Sequence, residues 1–122
     1  MKNVYPFVIV DNCTEAVNYY QSILGGDIKV LNEHAGKVLH AELSIGSGVI
    51  HFSDSYRKEY AAGDKVKIML QCESEEEIRR VYDALSENGK VAVELQDTFF
   101  GALHGQVTDQ NNITWVLNYF KA

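Results

Sequence analysis

An order of elements that occurs twice constrains this chain more than any other feature. Val4 to Val10 is an apolar run that reads as a buried strand. Pro6 stands near its start, where an edge strand tolerates proline. Asp11-Asn12-Cys13-Thr14-Glu15 then opens a helix, with Asn12 as N-cap and Glu15 at capping-box spacing. Ala16, Tyr20, Ile23 and Leu24 recur at i, i+4, i+7 and i+8, one apolar stripe. Gly25-Gly26 stops it, because glycine takes the left-handed conformation that ends helices. Strands are predicted over Ile28 to Asn32, Val38 to Ile45 and Val49 to Ser53, with Gly46-Ser47-Gly48 as the tight turn between the last two.

Past a polar joint at Asp54 to Asp64 the order restarts. Val66 to Cys72 reads as a strand, Ser74 as an N-cap with Glu77 three residues on, and Ile78, Val81, Tyr82 and Leu85 as a helical stripe. Glu87-Asn88-Gly89 ends it. Val91 to Leu95, Ala102 to Val107 and Ile113 to Tyr119 read as three more strands. The two halves, 1–54 and 65–122, are each β-α-β-β-β. The expectation is a single α+β domain over 1–122, with paired mixed sheets around a central cleft and helices on the convex side. A seam between two such halves is a usual place for a small ligand.

Charge narrows the partners. The formal net charge is −6, the basic residues are scattered, and the acidic run Glu73 to Glu77 falls where the second helix begins. Nucleic acid and anionic membrane both need a clustered basic surface, so neither is expected. No apolar stretch is long enough to span a bilayer. Cys13 and Cys72, without a C-x-x-C pair or a secretion signal, suit a reduced, cytoplasmic protein.

Alternation along the strands separates an oily from a polar face. Leu39, Ala41, Leu43 and Ile45 share one side of their strand, and His40, Glu42 and Ser44 the other. His51 and Ser53 form a polar face on the next strand. In the second half Val91, Val93 and Leu95 are apolar against Ala92, Glu94 and Gln96, and His104, Gln106 and Thr108 are polar. If residues 45 and 48 face each other across the turn, Glu42 falls opposite His51. A carboxylate beside an imidazole favours the charged ring and fixes its tautomer. Two readings stay open: a general base or ligand anchor, and a cross-strand pair on a solvated face.

Asn12-Cys13-Thr14-Glu15-Ala16, Tyr19-Tyr20, Leu24-Gly25-Gly26, His40-Ala41-Glu42-Leu43-x-Ile45-Gly46 and Ser53-Asp54 together resemble the PhnB-like branch of the vicinal oxygen chelate superfamily. So do Leu95-Gln96-Asp97-Thr98-Phe99-Phe100-Gly101, Gly105-x-Val107-Thr108-Asp109 and Trp115-Val116-Leu117-Asn118. That superfamily includes glyoxalase I, thiol transferases, extradiol dioxygenases and bleomycin-binding proteins, and the resemblance implies paired βαβββ units that commonly form homodimers. Members of the branch often carry a demethylubiquinone methyltransferase label, yet no glycine-rich nucleotide loop follows a strand here. The resemblance implies a divalent metal held by histidine and glutamate on the first strand of each half and the last strand of a half. Those positions here hold Tyr5, Lys67 or Ile68, and Val116, which are poor ligands for such an ion. The expectation is therefore no cofactor, with a relocated metal among His40, Glu42, His51 and His104 as the alternative.

Several single residues add to the candidate site. Phe99 and Phe100 are placed at the cleft rim with Asp97 beside them, where Asp97 serves either the ligand or the turn. Cys13 lies in the first helical turn, where the helix dipole lowers a thiol pKa, although a small buried side chain is the plainer role. Trp115 shares the parity of Ile113 and Leu117 and belongs to the core. Tyr56, Arg57, Lys58 and Tyr60 occupy the joint, either over a ligand or in solvent. The reading is a small-molecule-binding protein using Tyr5, His40, Glu42, His51, Asp97, Phe99, Phe100 and His104. An enzyme with Glu42 and His51 as its acid–base pair is the alternative.

Overall fold

The computed structural model describes residues 1–121, which form two helices and eight strands in two mixed four-stranded sheets. The chain divides into two compact units, Met1–Ala61 and Ala62–Ala122. No helix among the described residues is long and apolar enough to cross a membrane.

In the first unit, β1 (Phe7–Val10) leads to α1 (Cys13–Leu24). The strand is shorter than the expected Val4 to Val10. Pairing starts at Phe7 opposite His51, Val4 is exposed, and Pro6 contributes only its carbonyl, which accepts from the His51 amide at 2.9 Å. The Asn12 side chain accepts from the Glu15 amide at 3.1 Å, as the capping signal requires. Cys13, Ala16, Val17, Tyr20 and Ile23 are the buried face of α1. The helix stops at Gly25 and Gly26, both at positive φ. At Gly26 a Cβ would lie 2.1 Å from the Ser44 carbonyl oxygen, so the position admits no side chain.

Three antiparallel strands follow, β2 (Asp27–His34), β3 (Lys37–Ile45) and β4 (Gly48–Asp54), in the order β1-β4-β3-β2. Gly46 and Ser47 alone make the turn, and Ile45 faces Gly48. The core face carries Ala41, Leu43, Ile50 and Phe52, with the Phe52 ring stacked on Tyr20 at 5.0 Å. Each fully buried aliphatic or aromatic side chain here contributes about 1.5–3 kcal/mol. The alternation fails at Val38, which is buried although it lies outside the oily set. The cause is local: the β2–β3 register shifts between Val30 and Asn32 and again before Glu33, and the Val38 amide turns to Thr14 Oγ1 at 2.8 Å.

The second unit repeats the plan with β5 (Ile68–Gln71), α2 (Glu75–Ser86), β6 (Lys90–Asp97), β7 (Ala102–Thr108) and β8 (Thr114–Phe120), in the order β5-β8-β7-β6. Here too the first strand is shorter than the expected Val66 to Cys72, and Val66 is exposed. Ser74 Oγ accepts from the Glu77 amide at 3.0 Å, while Glu77 reaches back to the Glu73 amide at 3.0 Å. The left-handed residue that ends α2 is Asn88, not Gly89. Gly89 is required instead by space, since a Cβ there would meet the Thr108 oxygen at 2.4 Å. Ile78, Val81, Leu85, Val107, Trp115 and Leu117 form the core. The β7–β8 turn is organised by buried Asp109. Its Oδ1 accepts from the Asn111 and Ile113 amides at 2.8 and 3.1 Å, and its Oδ2 accepts from Trp115 Nε1 at 2.8 Å.

Candidate functional site

The polar face of the first sheet is built from three neighbouring strands. Ile45 opposite Gly48 sets a register in which Glu42 faces His51 and His40 faces Ser53. His40 and His51 are therefore diagonal neighbours, within reach for long side chains. Their rings meet: His40 Nε2 lies 2.9 Å from His51 Nδ1. On the other side of the same ring His51 Nε2 faces Glu42 Oε1 at 3.5 Å, an ion-pair distance rather than a good hydrogen bond. Strand β1 and the residues before it add two aromatic rings. Tyr5 lies over His51 at 5.0 Å, and Phe7 meets His40 edge-on at 5.6 Å.

The carboxylate decides the tautomers. A neutral His51 with its proton on Nδ1 would turn a lone pair toward Glu42, so the proton belongs on Nε2. His51 Nδ1 then accepts, and His40 Nε2 donates. The His51 and Glu42 side chains are 15% and 26% exposed, whereas the Tyr5 and Phe7 rings are about half exposed. The arrangement is a largely sheltered proton-carrying chain with aromatic surface open beside it. Four of the expected site residues, Tyr5, His40, Glu42 and His51, meet here. Phe7 was not among them, although its parity with Tyr5 on one strand was a usable signal.

His104 belongs to the second sheet. Its Nδ1 bonds Asn118 Oδ1 at 2.8 Å and its Nε2 faces Gln106 Nε2 at 3.2 Å, while Lys67 Nζ donates to Gln106 Oε1 at 2.7 Å. Asp97, Phe99 and Phe100 gather at the end of the same sheet. Asp97 does not cap the turn. Its Oδ1 pairs with Lys121 Nζ at 2.6 Å, and Thr98 Oγ1 makes the turn contacts to Ala102. Phe99 is wholly exposed, packed edge-on against Phe100 at 5.4 Å, and Phe100 lies 6.4 Å from Phe120.

Cys13 departs from the helix-dipole expectation. Its thiol is buried against the Phe52 carbonyl, and burial, aided by the Asp54 charge, pushes its pKa up to about 11. Burial does the same for Cys72, also to about 11. Neither is an activated nucleophile. In the joint, Tyr56 and Arg57 take left-handed backbone conformations, and Lys58 sits over the Tyr60 ring at 5.5 Å.

The registers align the two units position by position. Phe7 and Glu42 both face His51, and Met69 and Gln106 both face Val116. Tyr5 therefore corresponds to Lys67 rather than Ile68, and His51 to Val116. A phenol tilted against an imidazole, an ammonium bonded to an amide, and an isopropyl group do not suit a divalent cation. No group of three or more histidine, cysteine, aspartate or glutamate side chains among the described residues is placed to hold one.

Comparison with known proteins gives a consistent picture. The sequence profile of the Glyoxalase/Bleomycin resistance protein/Dioxygenase superfamily matches residues 4–117. Protein YjdN of Escherichia coli is 28% identical, across 90% of this chain and 89% of its own. The crystal structure of protein PA1353 from Pseudomonas aeruginosa superposes with a TM-score of 0.86 at 29% identity, over the full length of both chains. A PhnB protein from Bacillus cereus, described as a putative 3-demethylubiquinone-9 3-methyltransferase, superposes with a TM-score of 0.79 at 23% identity, covering 97% of this chain and 99% of that one.

Proposed function

The chain belongs to the Glyoxalase/Bleomycin resistance protein/Dioxygenase superfamily, and from that premise we propose that it is a small-molecule-binding protein working without the superfamily's usual metal. The first sheet is the binding surface. One observation carries the reading: two half-exposed aromatic rings, Tyr5 and Phe7, flank a sheltered His40–His51–Glu42 chain. Exposed aromatic surface beside a few convergent polar groups is the usual composition of a ligand site. The Glu42 oxygens and His40 Nδ1 are acceptors beside the two rings, with Lys29 and Asn32 across the strand pair from them, so the surface suits a flat aromatic molecule bearing N–H donors or a cation at Glu42. The methyltransferase description of the Bacillus cereus protein is not part of this proposal, because no glycine-rich nucleotide loop follows a strand in this chain.

The tautomer chain supports a second reading, in which His40 Nδ1 takes a proton from a bound substrate and its Nε2 proton passes to His51 Nδ1, while Glu42 stabilises the charged His51 ring. The binding reading is tested by titrating the purified protein with proflavine, a planar aromatic cation, and following its fluorescence. Saturable binding is expected, weakened about tenfold by His51→Ala with the circular dichroism spectrum unchanged. A variant that loses its fold would assign the histidine pair to structure. Unchanged binding would remove the first sheet as the site. Metal content and a thermal-shift series with zinc, nickel, manganese and iron(II) complete the test. One tightly held ion per chain would replace the metal-free reading with a metal-dependent one.

A further inference from the structure

In the second sheet every bond of one polar chain points the same way. Lys67 Nζ has only donors, so the group it meets at 2.7 Å must be the oxygen of the Gln106 amide. The amide nitrogen then faces His104 Nε2, which accepts. His104 carries its proton on Nδ1 and donates it to Asn118 Oδ1. One ammonium thus sets the orientation of an amide, the tautomer of an imidazole and the orientation of a second amide.

Counting the open valences gives the chemistry of this face. Gln106 Oε1, His104 Nε2 and Asn118 Oδ1 each already hold a donor. Lys67 retains two N–H groups, and the Gln106 amide nitrogen retains one. The cross-strand neighbours are Val93 and Val116 at Gln106, and Gln96 and Asn118 at His104, with no carboxylate among them. Lys67 and Met69 are exposed beside them. At the matching positions the first sheet has the opposite character, with Glu42 where this one has Gln106 and Tyr5 where it has Lys67.

From this we infer that the second sheet carries its own site for the carboxylate of a small organic molecule, gripped by Lys67 and Gln106, with Met69 and Val116 as adjoining apolar surface. His104 is a positioning residue: it holds the Gln106 amide so that its nitrogen, not its oxygen, stays available. The inference stands apart from the reading of the first sheet, since its ligand class and its contacts are different.

Benzoate is the probe, benzamide its neutral isostere, and the Gln106 side-chain NH2 resonance in 1H–15N spectra the readout. Benzoate should shift that resonance saturably. Benzamide, and benzoate on Lys67→Met, should bind roughly tenfold to a hundredfold more weakly, the loss of one charge-assisted contact. Lys67→Arg should retain binding. Gln106→Glu should abolish it without unfolding the chain, because the matching position already holds Glu42. No saturable shift at millimolar benzoate, equal affinity for benzamide, or Lys67→Met titrating like the parent chain would each overturn the site. If a variant fails to fold, the benzoate–benzamide comparison on the unaltered chain decides alone. A failed proflavine test leaves this outcome independent.

Discussion

Asp109→Asn is an almost isosteric change that should nevertheless be costly. The carboxylate is 2% exposed and meets donors on both oxygens: two backbone amides on Oδ1 and the Trp115 indole on Oδ2. Asparagine has one acceptor oxygen. If that oxygen faces the backbone amides, its NH2 group is set against Trp115 Nε1–H. If it faces the indole, two backbone amides lose their acceptor. The milder case removes one charge-assisted bond, about 1.5–3 kcal/mol, and leaves a buried N–H against another donor, for a total of about 2–4 kcal/mol. Trp115 is the single tryptophan of the chain and fully buried, so its fluorescence reports the transition directly. With the urea dependence usual for small proteins, the midpoint should fall by roughly 1–2 M. A fall of less than about 0.3 M would refute the argument that the carboxylate organises this turn.

Two further outcomes follow from the core. Leu43→Ala empties a fully buried position facing α1 and should cost about 2–5 kcal/mol in urea unfolding followed by circular dichroism; a near-neutral result would mean the two faces of β3 have been exchanged. Cys13 and Cys72, with thiols raised from 9.0 to about 11, should label with a disulfide reagent at pH 8 on the order of a hundredfold more slowly than in the urea-unfolded chain. Because the folded thiols keep protons that the unfolded chain loses, stability should decline as pH rises from about 9 to about 11. Rapid labelling of the folded protein would show that the two sites open readily.

The N-caps, the faces of β4 and β7 and the Glu42–His51 pairing were legible because each depends on spacing alone; the expected Val91, Val93 and Leu95 face of β6 was not, because register slips put Val93 opposite Gln106 while Val91 stays opposite Val107. A two-residue turn determines a register, and a register determines who faces whom. The same reasoning reaches the His40–His51 contact, a diagonal one step along the ladder, which only a reading of diagonals as well as direct pairs would find. Phe7 escaped because an apolar strand residue looks like core until the edge position of β1 is known. Lys67, Gln106, His104 and Asn118 form a polar chain defined by the direction of its hydrogen bonds, and direction is not encoded in residue order. The ion pair of Asp97 was in neither of its two expected roles, ligand contact or turn, because its partner Lys121 is far along the chain and reaches it through the pairing of β6, β7 and β8.

The register shifts in the outermost antiparallel strands have a consequence for solubility. Strands β2 and β6 each pair on one side only, and each presents half-exposed aliphatic groups: Val30 and Leu31 in one, Val91 in the other. An even ladder with such groups would be a template for strand addition by any passing chain. The slips at Val30–Asn32–Glu33 and Val91–Val93–Gln96 break the even spacing of N–H and C=O groups along those margins. Straightening either margin is therefore expected to make the chain more prone to aggregation before it costs any stability.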